Sequence, residues 1–291
     1  MLRSIVGSFN WIAMATRPDI ATITNILSHY LHTAAPGHVT AAKHVLRYLI
    51  GTIDLGIEFS PLPNPTADAF VKFPLDSHKT TSLTDANWGP QDQSLPHPTD
   101  NEQIDLFKSR SLSGFLIWMG GPLHWMSKRQ SITARSSTEA EIYAIDECVK
   151  ALQHIRHIFE NLQLAHLLPS TFSIYNDNEA SVKWTSNMTS KGLRHIQMRE
   201  NSTREQQLLG FCTVIHLPGD NNLSDMFTKE DKHIAHFISI RDAVVKSSVS
   251  AYRIKIHDKP TILYTLPCLI LSIRTIIGCL LSRHTHVGGV A

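Results

Sequence analysis

The sequence is poor in cysteine, in net charge and in apolar residues at its start, and each shortage excludes something. Its four cysteines, Cys148, Cys212, Cys268 and Cys279, make no CxxC pair and no framework spacing. That argues against a structural zinc site and for a reducing compartment. The formal net charge is only +2, so any basic surface for nucleic acid has to be local. The first residues, Met1-Leu-Arg-Ser-Ile-Val-Gly-Ser8, lack the long apolar run of a secretory signal. The expected localisation is therefore intracellular, cytoplasmic or nuclear, and not secreted. No internal repeat is present. Apolar residues make up 42% and charged residues 18% of the 291, which excludes wholesale disorder and leaves material for one large domain or two ordinary ones.

What is present is a periodicity that changes along the chain. In residues 1–60, Leu2, Ile5, Val6, Phe9 and Ile12 fall at helical spacing. Thr16-Arg-Pro-Asp19 breaks that helix and opens a second one predicted to reach about His32, with Pro18 in its first turn. Val39, Ala42, Val45, Leu46 and Leu49 form a third apolar stripe. Residues 61–78 are proline-rich and aperiodic, a linker. Residues 79–230 alternate strands and helices. A strand ends at Asp85, and two apolar runs around Gly120-Gly121-Pro122 form a hairpin. A long helix runs from Ser137 to about Leu162, with Thr138 as its expected cap. Strands follow at Ser173–Asp177 and Cys212–Leu217, with a last helix from about Leu223. The expected class is α/β, a mixed sheet flanked by helices and preceded by a small helical segment. Residues 231–246 are a further helix, and residues 247–291 a tail of no assignable role.

Four acidic residues sit on these elements: Asp85, Glu141, Asp177 and Asp225. Steps of three, four, seven and eleven from Glu141 reach Ala144, Ile145, Cys148 and Leu152, an apolar face. The same steps from Glu139 reach a mostly polar one, so Glu141 is expected in the core and Glu139 in water. A core-facing carboxylate is costly unless neutralised, and neighbouring carboxylates raise one another's pKa. Divalent cations relieve both problems. An oxygen-only set suits Mg²⁺ or Mn²⁺ rather than zinc, and two such ions about 3.5–4 Å apart clamp a phosphate for in-line displacement. A lone Asp at a strand end is commonly a turn or cap residue; the joint pattern carries the metal reading.

Seven segments give the chain a family resemblance. Thr84-Asp-Ala-Asn-Trp88, Lys108-Ser-Arg-Ser-Leu-Ser-Gly114, Gly120-Gly121, Trp125-Met-Ser-Lys-Arg-Gln130, Ser136-Ser-Thr-Glu-Ala-Glu141, Asn176-Asp-Asn178 and Leu223-Ser-Asp-Met-Phe-Thr-Lys229 occur in this order. The series resembles the ribonuclease H domain of copia-type LTR retrotransposon Pol polyproteins. Residues 1–60, with Gly7-Ser-Phe-Asn-Trp11, Thr16-Arg-Pro-Asp-Ile20 and Leu46-Arg-Tyr-Leu49, resemble the region after the reverse transcriptase core. The resemblance implies a ribonuclease H-like fold and a metal-dependent endonuclease cleaving the RNA strand of RNA–DNA hybrids. It implies two Mg²⁺ (or Mn²⁺) ions held by Asp85, Glu141, Asp177 and Asp225. Lys128 and Arg129 are expected near the hybrid backbone, with Trp125 either beside them or in the core. Arg17, Lys43 and Arg47 either meet phosphates or belong to an ordinary three-helix bundle with no contact to nucleic acid. His216 either stands in for the histidine that related nucleases place before the last aspartate or is a strand residue. Where many relatives carry Asp, this chain has Gln197.

No counterpart of a polymerase YxDD aspartate pair is found, so primer extension is not expected. The second reading is a catalytically inert, truncated relic with at most nucleic-acid binding. The apolar stretch Thr261–Leu281 has the length of a span, about 20 residues. Arg274 inside it costs roughly 2.5–3.5 kcal/mol on insertion scales, so stable membrane insertion is not expected. The sequence leaves the oligomeric state open.

Overall fold

A computed structural model describes residues 2–59, 80–89, 110–186, 197–229 and 234–247. The linker 61–78, most of the tail 247–291 and Thr261–Leu281 within it lie outside these residues. So does the environment of Gln197. No described helix is long and apolar enough to cross a membrane. The described residues fall into two compact units, residues 2–56 with 246–247 in one and the remainder in the other.

In the first unit, helices α1 (Leu2–Ala15), α2 (Ala21–Ser28) and α3 (Pro36–Gly51) bury the stripes read from the sequence, with Phe9, Ile12, Leu27 and Leu49 in the core. A 3₁₀ turn, Pro18–Ile20, joins α1 to α2. The second helix stops at Ser28, one turn short of the expected His32. A two-stranded ladder pairs β1 (Leu55–Gly56) with β7 (Lys246–Ser247) antiparallel. Of the two readings of Arg17, the buried bundle residue is the one observed. It is 1% exposed, its Nε and Nη2 donate to both carboxylate oxygens of Asp19 at 2.9 and 2.7 Å, and Nη1 donates to the Thr52 carbonyl. Tyr48 Oη donates to the same Asp19 carboxylate. A guanidinium fork matched to a carboxylate is the form in which a buried arginine is tolerated. Lys43 and Arg47 remain exposed on α3.

The second unit is the mixed sheet, in the order β4-β3-β2-β5-β6. Strands β2 (Thr81–Asn87), β3 (Leu112–Trp118) and β4 (Pro122–Arg129) form an antiparallel meander. Gly120 turns the expected hairpin with φ +68°, a conformation glycine reaches without strain. Strands β5 (Phe172–Asn176) and β6 (Cys212–His216) run parallel to β2. The sheet is mixed and helices pack on it, the α/β class expected from the sequence.

Helix α4 (Ser137–Asn161) covers one face, with Ile145, Cys148, Val149 and Leu152 packed on Phe115, Ile117, Phe172, Ile174 and Val214. Because paired residues share a face and neighbours alternate, the register puts Ser82, Thr84 and Ala86 of β2 towards α4 and Leu83 and Asp85 away from it. Helices α5 (Glu179–Ser186) and α6 (Gln197–Leu208) lie between β5 and β6 in the chain. The expected helix at Leu223 is a five-residue 3₁₀ turn, Leu223–Phe227, and α7 (Ile234–Val244) follows.

Candidate metal centre

Central strands β2 and β5 run parallel, so their C-terminal ends lie side by side, and Asp85 and Asp177 sit at those ends. The turn carrying Asp225 reaches the same place because β3 opposite it is glycine. Gly114 pairs with Asp85, and a Cβ on Gly114 would stand 2.6 Å from Phe227 Cβ and 2.7 Å from Thr228 Cγ2. The missing side chain lets the turn settle against the strand. Three carboxylates result, Asp85, Asp177 and Asp225, each offering an oxygen within 4.8 Å of the others. Asp85 and Asp225 are buried and Asp177 half-buried.

Glu141 approaches from the other side of β2. Ala86, Ala134, Ala140 and Ala144 pack together, and these small residues bring the start of α4 close to the end of the strand. Glu141 is 5% exposed and its Oε2 accepts from Asn176 Nδ2 at 2.8 Å. It is not one of the three most closely grouped residues, because Asp85 leaves β2 on the face away from α4.

Two asparagines tie these parts together. Asn176 Nδ2 and Asn222 Nδ2 both donate to the Thr84 carbonyl, at 3.2 and 3.0 Å, one residue before Asp85. Asn176 links that point to Glu141. Asn222 links it to the Asp225 turn by accepting from Ser224 N. Sequence reasoning quoted Asn176 inside a motif and gave it no role, and it passed over Asn222. A polar residue on a strand otherwise reading as core was the available signal for Asn176.

The electrostatics follow from burial. Asp85 is pushed up to about 7 by loss of water and by the Asp225 charge, with Lys229 and the Thr228 hydroxyl opposing. Thr228 Oγ1 donates to Asp85 Oδ2. Glu141 is held well above the ordinary carboxylate range, by burial first and the Asp85 charge second. Lys229 Nζ lies 2.7 Å from Asp225 Oδ1 and 3.8 Å from Asp85 Oδ1. Burial lowers its pKa, but Asp85 and Asp225 outweigh that and raise it. His236 of α7 stands 3.9 Å from Asp225 Oδ2.

Glu139 corrects the helix-face expectation. It is 3% exposed, not solvated, and its Oε2 accepts from Arg135 N at 2.7 Å. The cap is Ser136, whose Oγ accepts from Glu139 N, rather than Thr138. The loop before α4 folds back so that Arg135 N meets Glu139, while Ser136 and Ser137 stay exposed. Gln130 Nε2 donates to both Ser113 Oγ and the Ala140 carbonyl. The Glu139 carboxylate is engaged by the backbone just before its own helix, so its burial is not set by the helical phase.

His216 ends β6, exposed, with Nε2 3.2 Å from the Asp177 carbonyl oxygen. Lys128 and Arg129 pair through Ser113 and Leu112 with Ala86 and Asn87. They lie at the same sheet end, two strands and so about 10 Å from β2. Lys128 is exposed, 3.7 Å from Glu147, and Arg129 half-buried. Trp125, half-buried, pairs with Leu116 further along β4.

No family model matches the chain. The retrovirus-related Pol polyprotein from transposon RE2 of Arabidopsis thaliana is 32% identical over 240 residues, covering 80% of this chain and 14% of that protein. The corresponding RE1 polyprotein of the same plant is 30% identical over 233 residues, 78% of this chain and 14% of the relative. Among solved structures, ribonuclease H1 of Halobacterium salinarum NRC-1 is 13% identical with a TM-score of 0.33, over 52% of this chain and 94% of that one. The chain thus spans about one seventh of the curated relatives it matches. By these relatives, it is homologous to the Pol polyproteins of copia-type retrotransposons and corresponds to a partial region of them.

Proposed function

We propose that the sheet unit is a metal-dependent endonuclease that cleaves the RNA strand of RNA–DNA hybrids, as part of a retrotransposon polyprotein. The observation that carries this reading is the convergence of Asp85, Asp177 and Asp225 within 4.8 Å, with Glu141 adjoining. The donor set fits a hard divalent cation. It is oxygen-only, two of its three members are buried, and burial and the Asp225 charge push Asp85 up to about 7. Asp85, Glu141, Asp177 and Asp225 would hold two Mg²⁺ or Mn²⁺ ions. When bound, such ions supply Lewis-acid charge at a phosphate and make water a nucleophile near neutral pH.

The chain's own residues supply position. Asn176 aims the Glu141 carboxylate, and Thr228 and Gly114 hold Asp85 against the Asp225 turn. His216 stands at the exposed rim beside Asp177, its Nε2 3.2 Å from the Asp177 carbonyl oxygen. Lys128 and Arg129 meet the hybrid backbone, and selection of RNA rests on groove shape and the 2′-OH rather than on base edges.

The test is cleavage of an end-labelled RNA–DNA hybrid by the full chain, with Mg²⁺ and with EDTA. Metal-dependent cutting of the RNA strand alone is expected. Hybrid binding without any metal-dependent cutting would sink the nuclease reading in favour of the inert relic.

A further inference from the structure

We infer that the Lys229 ammonium is the resident counter-ion of the carboxylate cluster in the metal-free chain and competes with divalent cations for its Asp225–Asp85 side. The inference rests on the metal reading above and adds a residue that the reading leaves unassigned.

Three observations carry it. Lys229 Nζ is 2.7 Å from Asp225 Oδ1 and 3.8 Å from Asp85 Oδ1, so it faces two of the three clustered carboxylates. Its backbone is fixed as well: Lys229 N donates to the Asp225 carbonyl at 2.9 Å, so the side chain folds back over the residue that anchors its own main chain. Its partners' side chains are only 7% and 2% exposed, which separates this contact from the screened surface pairs that contribute little. A cation held on buried carboxylates offsets like-charge repulsion that would otherwise oppose folding without metal.

The same placement sets up competition. The Asp225 oxygen that accepts from Lys229 is one a divalent ion would take, and an ammonium beside that ion repels it. The Lys229 side chain is 41% exposed, so it has an open path to solvent when displaced. His236 is at 3.9 Å from the other Asp225 oxygen and is not the occupant of this side.

Mn²⁺ binding to the full chain, read by electron paramagnetic resonance of free ion, tests this without any substrate. Lys229→Met keeps the length and removes the charge; it should bind Mn²⁺ at least tenfold tighter and melt earlier in EDTA. Lys229→Arg keeps the charge and should bind like the parent. Asp85→Asn, which removes a ligand, should bind at least tenfold more weakly. A second measurement uses the unaltered chain. Acetylation of Lys229 by acetic anhydride, followed by peptide mass spectrometry, should speed up several-fold when Mn²⁺ is added. Unchanged or weaker Mn²⁺ binding by Lys229→Met, or acetylation that Mn²⁺ leaves unchanged or slows, overturns the inference while the metal site stands. Absence of Mn²⁺ binding by parent and Lys229→Met alike overturns the metal reading, and this inference with it.

Discussion

The two glutamates at the start of α4 share burial and differ in task. Glu141 meets the cluster through Asn176, and Glu139 accepts from the backbone of Arg135. Glu141→Gln keeps an acceptor for Asn176 and removes a charge. Cleavage of hybrid should fall by orders of magnitude, while the melting temperature in EDTA holds or rises because like-charge repulsion at the cluster is reduced. Asp85→Asn should lose activity to a comparable degree, since ligands of one site act as a unit. Retained cleavage in both variants would remove these residues from the site. Glu139→Ala has a different signature. It strips an acceptor from a helix start, worth about 1 kcal/mol in urea unfolding, and should leave the cleavage rate within a few-fold. A glutamate read as solvated would instead have been nearly silent in stability.

At the scale of elements, the site depends on how closely the Asp225 turn approaches β3. Gly114 makes that approach possible, with Phe227 Cβ and Thr228 Cγ2 inside the space a Cβ would need. Gly114→Ala has to push the turn outward, because the facing atoms belong to side chains rooted close to the backbone. Overpacking of this kind costs about 1–3 kcal/mol. Mn²⁺ binding should weaken as well, since Thr228 and Asp225 move together. Chemical unfolding and metal titration of the same preparation would check both, and unchanged metal affinity would show that the turn relaxes without disturbing the cluster. Glycine at this point was legible as part of a motif. Its reason, a close approach of two elements more than a hundred residues apart, was not.

Both units of the molecule have apolar cores, and the helical unit in addition encloses Arg17 and Asp19 as a buried pair. Arg17→Ala leaves the Asp19 carboxylate, 5% exposed, without its guanidinium. Breaking a buried pair on one side costs ~3–5 kcal/mol. Amide hydrogen exchange in residues 2–51 should accelerate accordingly, and protection as slow as in the parent would show that Tyr48 alone satisfies Asp19. Such a residue is easily misread from the sequence. An arginine in a turn looks available to phosphate, but Asp19 takes its fork, and Tyr48 of α3 and the Thr52 backbone complete the set of partners.

What the sequence determined by itself is local. Hydrophobic period marked α1, α3 and α4 and the strands, because burial of one face is written into the spacing of residues. Residue type then picked out Asp85, Glu141, Asp177 and Asp225 as candidate ligands of a hard cation. Tertiary structure decided which oxygens meet. Asp85 leaves β2 on one face and Glu141 comes to the other, so three carboxylates group closely and the fourth adjoins through Asn176. It also decided that Glu139 is inside, that Arg17 is engaged, and that Lys229 lies on the cluster. Each of these outcomes turns on contacts between elements distant in the chain or on a loop folding back. Periodicity records how a segment faces its core and carries no information about which neighbour arrives there.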